Sequence, residues 1–219
     1  MNSETVTASL LRLKALLGPK GYHDDPDDLA PWLVDWRGVF HGAARALLSP
    51  ANVSEVAAIV SIAREAGLPI VPQGGNTGMV GGATPSPSGD SVLLSLRRMN
   101  AIRSIDATSG IAVAEAGVIL GNLHDAALAK GMRFPLSLGA KGSATIGGLV
   151  STNAGGTQVL RFGTMRKLVL GVEAVLPDGS IYDGLAALKK DNRGYDLTQL
   201  LIGAEGTLGV VTAASLRIV

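Results

Sequence analysis

The chain has 219 residues, enough for one large domain or two small ones with a sizeable core. Its 19 Lys and Arg nearly balance 18 Asp and Glu, which gives no sign of a polyanion-binding surface, and zero cysteines exclude disulfides, thiolate metal sites and cysteinyl cofactor bonds. No apolar run approaches the roughly 18 residues of a membrane span, and Glu4 with no long apolar segment near it argues against a secretory signal, so a soluble cytoplasmic protein is expected.

Val6, Leu10, Leu13 and Leu17 recur at helical spacing until Gly18-Pro19. The polar, acidic stretch GYHDDPDDLA (21–30) reads as a loop, and ARALLSP (44–50) as a short strand. Asn52 followed by Glu55 has the form of a capping box for a helix through VAAIVSIAREA, which Gly67 ends. LPIVP (68–72) is a second strand, so residues 44–72 read as a strand–helix–strand unit with a right-handed crossover, and SVLLSL (91–96) is a third strand. From about residue 101 the pattern changes. IRSIDATSGIAVAEAGV (102–118) alternates polar and apolar residues about Thr108-Ser109-Gly110, as an antiparallel hairpin does. A helix near 119–130 follows, then a glycine-rich connection, a second hairpin (168–184) turning at Pro177-Asp178-Gly179, and a last strand within 208–219. The division expected is an N-terminal helix and acidic loop (1–30), a small subdomain over 31–100, and an antiparallel α+β subdomain over 101–219.

The glycines, 29 in all, are about twice as frequent as usual and clustered. They concentrate in GGNTGMVGG (74–82), GAKGSATIGG (139–148), NAGG (153–156) and GAEGTLG (203–209). The first follows a buried strand, where exposed backbone N–H groups can gather an anion, and Asn76 and Thr77 add an amide and a hydroxyl that can reach phosphate oxygens. A tight structural turn is the alternative. A Walker loop is excluded because Gly148 stands where its lysine would be, and no G-x-G-x-x-G follows either strand. Several such loops in both subdomains point to an elongated ligand held against backbone, such as a dinucleotide.

PQGGNTGMVGG, LGAKGSATIGG, STNAGG, LPDGS, KKDNRGYDL and LIGAEGTLGVVT occur in the order that characterises FAD-linked dehydrogenases of the vanillyl-alcohol oxidase (PCMH) type. Over residues 31–219 the chain resembles that family, and within it the D-2-hydroxyglutarate and D-lactate dehydrogenases. The resemblance implies an α+β, two-subdomain PCMH-type FAD-binding fold and oxidation of a D-2-hydroxy acid by hydride transfer to the flavin. It also implies that Gly74, Gly75, Asn76, Thr77 and Gly78 hold the pyrophosphate. Gly142, Ser143, Thr145, Ile146, Gly147 and Gly148 would line the ribityl and phosphate portion. Asn153 and Gly155 would approach the flavin; Glu205, Gly206, Gly209 and Val210 would close over the cofactor, with Val118 beside the adenine. Some relatives bond the flavin through a histidine in the first loop; Asn76 stands there, so non-covalent FAD is implied. Relatives continue into a substrate or cap domain carrying the substrate-binding basic residues, metal ligands and a catalytic histidine. That region is expected to be absent here, which leaves the catalytic residue unassigned and the chain alone inactive. The implied partners are a small 2-hydroxy acid, an electron acceptor of unnamed kind, and a second copy or partner subunit. A non-catalytic FAD-carrying module, or a nucleotide-binding module without redox chemistry, are the alternatives.

The remaining polar residues read as structural. His23, His41 and His124 share no metal-ligand spacing, and Asp24, Asp25, Asp27 and Asp28 read as a solvated loop, so no metal site is expected. Trp32 and Trp36 read as packing residues, and Arg161 as either a charge near the flavin or half of a surface ion pair.

Overall fold

A computed structural model describes residues 3–185 and 194–219. The chain forms two compact units, Met1–Arg98 with Val175–Ile181, and Met99–Ala174 with Tyr182–Val219.

In the first unit, helix α1 (Ser3–Gly21) leads to strand β1 (Tyr22–His23), helix α2 (Pro26–Leu29) and a 3₁₀ turn at Ala30–Trp32. Strand β2 (Leu47–Leu48), helix α3 (Val53–Ala66), β3 (Ile70–Gln73) and β4 (Val92–Ser95) complete it. The sheet order is β1-β2-β4-β3. β4 lies between β2 and β3 and runs parallel to both, with Leu47 opposite Leu93 and Val71 opposite Leu93 on its two sides. All four β4 residues are buried, as a central parallel strand covered on both faces requires. α1 packs on α3, and Leu13, Val56, Ile59 and Ala63 are sealed from solvent. Leu13, Val56 and Ile59 each contribute about 1.5–3 kcal/mol by leaving water. The helix α3 signals are realised: Asn52 Oδ1 accepts from the Glu55 N–H at 2.9 Å, the Glu55 carboxylate accepts from the Ala51 N–H at 2.7 Å, and Gly67 takes the left-handed conformation at φ 63°.

Three local expectations are corrected here. Residues 21–30 are not a loop throughout. Tyr22 and His23 pair antiparallel with Leu48 and Leu47, and Asp25 caps α2 by accepting from the Asp27 N–H at 2.9 Å, with Pro26 at the first helical position. Asp-Pro is itself a helix-start signal, outweighed in the reading by the acidic composition. Helical structure also resumes after Gly18, which alone departs (φ 60°, ψ −172°), and runs on to Gly21. Trp36 is 59% exposed rather than packed; Trp32 alone of the two packs against the cluster of Leu29, Leu47 and Leu93, with Arg97 stacked 4.8 Å from its ring centroid.

The second unit carries β5 (Ile102–Asp106), β6 (Ile111–Glu115), α4 (Leu120–Leu128), α5 (Ile146–Ser151), α6 (Val159–Phe162) and α7 (Met165–Leu168). β7 (Val169–Val175), β8 (Ile181–Asp183), α8 (Thr198–Leu201) and β9 (Val210–Arg217) follow. The sheet order is β5-β6-β9-β7-β8, with β9 inserted beside β6 antiparallel to it. The 106–110 turn closes as expected: Asp106 Oδ1 accepts from Thr108 and Ser109, and Gly110 has φ 67°. Four strands are tied together by one polar cluster. Arg103 on β5 donates twice to Glu173 on β7, at 3.1 Å each, and lies 3.3 Å from Glu115 on β6; Thr212 on β9 donates to Glu173 at 2.8 Å. The 175–181 turn belongs to the first unit, where Arg64 of α3 donates to the Asp178 carbonyl at 3.2 Å.

Candidate functional site

Strand β3 delivers the chain into the 74–82 loop. Buried Gln73 closes the base of that loop, its amide donating to the carbonyls of Trp32 (3.0 Å) and Ala83 (2.8 Å). Its Oε1 is buried and has no hydrogen-bond partner among the described residues. Asn76 sits at φ 51°, and its Nδ2 donates to the Val34 carbonyl at 2.8 Å. The side-chain amide therefore faces the protein rather than an anion, unlike the sequence reading; what Asn76 offers a ligand is backbone.

A second segment holds this loop from the side, and nothing in the sequence reading had marked it. Asp35, buried, accepts from the amides of Val39 (2.6 Å), Phe40 (2.7 Å) and Arg37 (3.4 Å). The amide bond from Phe40 leads in holding its carboxyl below the usual range; burial opposes this and is outweighed, with Val39, Arg37 and the Arg37 charge adding to the lowering. The ordered turn lays the Phe40 ring on Gly81, where a β-carbon would come within 2.8 Å of it, and sends Arg37 to the Met79 carbonyl at 3.1 Å. The signal was Asp35 three residues before Gly38, an Asx-type turn.

What remains unoccupied by the fold is backbone. Among the described residues, no main-chain N–H from Gly74 to Gly82 donates to another main-chain or side-chain group. Gly78 has no left-handed φ and a β-carbon there would meet nothing within 4 Å. Its lack of a side chain answers no demand of the protein's own packing. The same is true of Gly139 and Gly142 in the second unit. Within each unit, such bare positions leave main chain open to an anionic ligand.

Other glycines in the same motifs have internal reasons. Gly147 packs on Ala116, whose Cβ would lie 2.7 Å from an added β-carbon, and its N–H donates to the Ala116 carbonyl at 2.8 Å. Ile146 is fully buried and its N–H donates to the carbonyl of buried Val118 at 2.9 Å, so these two backbone groups are satisfied by the fold itself. Thr145 precedes α5 and is 8% exposed; Ser143 bonds to Ala140 within its own turn at 3.0 Å. Gly148 stands 3.4 Å from Thr145 Oγ1 by the same β-carbon measure, Gly155 is 3.2 Å from Val159, and Gly156 abuts the Ser137 carbonyl.

Asn153 (φ 48°) and Glu205 (φ 52°) complete a pattern: with Asn76 they are the non-glycine residues of positive φ among those described, and all three lie in the glycine clusters. Such backbone costs free energy and persists where the surroundings impose it. The surroundings are visible. Asn153 Oδ1 accepts from the Arg166 N–H at 3.0 Å, the Glu205 N–H donates to Ser151 at 2.9 Å, and the Gly203 N–H donates to Val150 at 3.1 Å, which brings the 153–156 and 203–209 segments together beside α5. Gly206 turns at φ 82°, and Gly209 and Val210 are buried at the start of β9.

The histidines are engaged by the fold: His23 Nδ1 lies 3.5 Å from Asp28, His41 meets the Gly38 carbonyl at 3.1 Å, and His124 meets the Leu136 carbonyl at 2.8 Å beside Phe134. Asp24 pairs with Lys14 at 3.0 Å. Arg161 is exposed and stacks 5.1 Å from the Phe162 ring centroid, with Arg133 5.5 Å from the same ring; no ion pair of Arg161 occurs among the described residues. Residues 186–193, which include most of the KKDNRGYDL motif, lie outside those described.

Comparison with known proteins gives the class. The profile of the FAD binding domain family matches residues 44–184, more than half of the chain, and the chain belongs to that family. Its cofactor is FAD. The chain is 50% identical over 192 residues to the mitochondrial D-2-hydroxyglutarate dehydrogenase of Bos taurus, covering 88% of this chain and 35% of that one. It is 46% identical over 191 residues to a putative mitochondrial D-lactate dehydrogenase of Schizosaccharomyces pombe, covering 87% and 36%. The chain thus spans little more than a third of the length of these relatives. Among solved structures, an alkyldihydroxyacetonephosphate synthase superposes with TM-score 0.85 at 22% identity, covering 97% of this chain and 40% of that one. p-Cresol methylhydroxylase superposes with TM-score 0.81 at 23% identity, covering 100% and 44%. These likenesses establish the α+β, two-subdomain PCMH-type fold. The expectation of a cytoplasmic protein is corrected, because both relatives are mitochondrial by name. Balanced charge and missing cysteine suit either aqueous compartment, so composition had no power to separate them.

Proposed function

We propose that this chain is the FAD-holding part of an oxidoreductase that oxidises a D-2-hydroxy acid, D-2-hydroxyglutarate or D-lactate, and that it holds FAD without a covalent bond. The observation that carries the reading is the 74–82 loop, with free N–H groups and a Gly78 that nothing internal requires. The 50% identity to a D-2-hydroxyglutarate dehydrogenase supports the substrate class.

In this reading Gly74, Gly75, Asn76, Thr77 and Gly78 donate main-chain N–H bonds to the pyrophosphate, where neutral donors suffice because they point together at one anion. Gly142, Ser143, Thr145, Ile146, Gly147 and Gly148 line the ribityl and phosphate portion, with Val118 beside the adenine. Asn153 and Gly155 border the flavin, and Glu205, Gly206, Gly209 and Val210 close over it. FAD supplies the acceptor for a hydride leaving the α-carbon of the hydroxy acid. The chain's own contribution is binding, orientation and exclusion of water along the glycine segments. The domain reading, 1–30 as an N-terminal helix and acidic loop with 31–100 and 101–219 as two FAD-binding subdomains, belongs to the same proposal.

The test has two arms. Titration of the purified chain with FAD, followed by quenching of flavin fluorescence, should saturate at one equivalent. FAD-loaded chain mixed anaerobically with the D and L forms of 2-hydroxyglutarate and lactate should keep its flavin absorbance, because no catalytic residue is assigned within it; bleaching by D forms alone would place the catalytic base within residues 1–219. Absence of saturable FAD binding overturns the reading as a whole, and equal bleaching by L forms overturns the substrate class.

A further inference from the structure

The NAGG and GAEGTLG segments are separated by some fifty residues of sequence, and one side chain joins them. Arg166, in the first turn of α7, gives its backbone N–H to Asn153 Oδ1 at 3.0 Å. Its guanidinium reaches the other way. Nη1 donates to both the Gln199 carbonyl and Gln199 Oε1 at 2.8 Å, and Nη2 donates to the Ile202 carbonyl at 2.5 Å. Gln199 is the second residue of the one-turn helix α8 and Ile202 is its C-cap. Arg166 meets every one of these acceptors with a cation, and among the described residues it has no carboxylate partner. Gly203 follows directly, at φ 81°; a β-carbon there would lie 3.3 Å from Arg166 Nη2 and 3.4 Å from Asn153 Cβ.

We infer that Arg166 is a positioning residue for the cofactor: a single clamp that sets Asn153 and the 203–206 turn in their left-handed geometries at the same time. This rests on the reading that those two segments hold FAD. The two constrained residues, Asn153 at φ 48° and Glu205 at φ 52°, each lie within three residues of an Arg166 contact. That backbone is costly for Glu205 and milder for Asn153, and in both it persists where the surroundings hold it. The guanidinium reaches these acceptors from two nitrogens set apart in one plane, whereas an ammonium would have to serve all three from a single nitrogen. If the clamp is lost, the binding-competent geometry is populated only part of the time, and the apparent Kd rises in inverse proportion to that fraction.

The experiment compares wild type, Arg166→Met, Arg166→Lys and Gln199→Ala by FAD titration, by thermal unfolding without FAD, and by hydrogen exchange at the amides of 203–206. The expected result is a Kd raised roughly tenfold or more in Arg166→Met, from a tenfold drop in competent population. Faster exchange at 203–206 and an FAD-free melting temperature within a few degrees of wild type should accompany it. Arg166→Lys should recover part of the affinity, and the visible circular dichroism of bound flavin should differ from wild type in both Arg166 variants. A Kd for Arg166→Met within twofold of wild type overturns the inference, as does full recovery by Arg166→Lys. If Arg166→Met fails to fold, Gln199→Ala decides, since it removes one acceptor and leaves the cation: raised Kd with faster exchange supports the clamp, and unchanged Kd overturns it. Wild type that does not bind FAD overturns this inference together with the functional reading; wild type that binds while the variants bind equally well overturns the clamp alone.

Discussion

At Gly78 a β-carbon would meet nothing within 4 Å, whereas at Gly147 it would come 2.7 Å from Ala116 Cβ. The two glycines have different reasons to exist, and substitution should separate them. Gly78→Val should leave the melting temperature within a degree or two, since surface changes are usually worth about ±0.5 kcal/mol, and should weaken FAD binding about tenfold or more. Gly147→Ala should cost about 1–3 kcal/mol of stability from overpacking against main chain and Ala116. Thermal unfolding and FAD titration of both variants check this; a destabilised Gly78→Val with unchanged affinity would mean the loop is a structural turn. Glu173 is a residue-scale case of a different kind. Burial raises its pKa, but the Arg103 and Thr212 hydrogen bonds and the Arg103 charge outweigh that and hold it below its ordinary value near 4.5. A lowered folded-state pKa contributes stability at pH values above the unfolded value, and that contribution disappears as pH falls through the folded one. Stability should therefore decline below about pH 5 in wild type. Glu173→Gln should be less stable by about 1–3 kcal/mol at pH 7 and show a flatter acid limb. Urea unfolding from pH 3 to 7 measures both.

At the scale of elements, the 35–40 turn and the 74–82 loop form one device. Asp35 gathers three amides, the turn so formed carries Phe40 and Arg37, and these rest on Gly81 and the Met79 carbonyl. Asp35→Ala should release the turn while leaving the sheet intact, because β2, β4 and β3 pair independently of it. The expected outcome is faster amide exchange at Arg37, Val39 and Phe40 and faster proteolysis confined to 35–42 and 74–82, with FAD affinity lowered. Proteolysis unchanged in the glycine loop would show that Gln73 and Asn76 suffice to hold it. The α3 cap is separable: Asn52→Ala should cost about 1 kcal/mol without touching FAD affinity.

For the molecule as a whole, the family membership gives the cofactor, FAD, and the side chains bear on its mode of attachment. Asn76 stands in the first glycine loop with its amide turned to Val34, and the sequence has no cysteine. FAD should therefore leave the protein completely on acid precipitation, and flavin absorbance in the washed pellet would show a covalent bond. The polar cluster of Arg103, Glu115, Glu173 and Thr212 joins β5, β6, β7 and β9 of the second unit, so its protonation should be felt as cooperative unfolding of that sheet rather than as local fraying.

Local signals carried much of the chain order by themselves. The Asn52–Glu55 cap, the Gly67 stop, the alternation of 102–118 and the turn at Thr108-Ser109-Gly110 each act within a few residues, where propensity and hydrogen bonding are decided by neighbours. The glycine clusters too were legible, and with them the demand for a ligand lying on backbone. What those glycines are individually for was not, because that depends on atoms far off in sequence: Ala116 for Gly147, Ser137 for Gly156, and nothing at all for Gly78. The same holds for polar side chains. Asn76 could face outward or inward until Val34, 42 residues away, took its amide. Arg103 was an ordinary charged residue of an alternating strand until Glu173, 70 residues on, was brought beside it. Arg166 had no motif of its own, since its acceptors are carbonyl groups that every residue possesses; only the approach of α8 to α7 gives them to it. Sequence determines conformations that neighbouring residues enforce, and tertiary structure decides which partner each distant polar group and each bare glycine will meet.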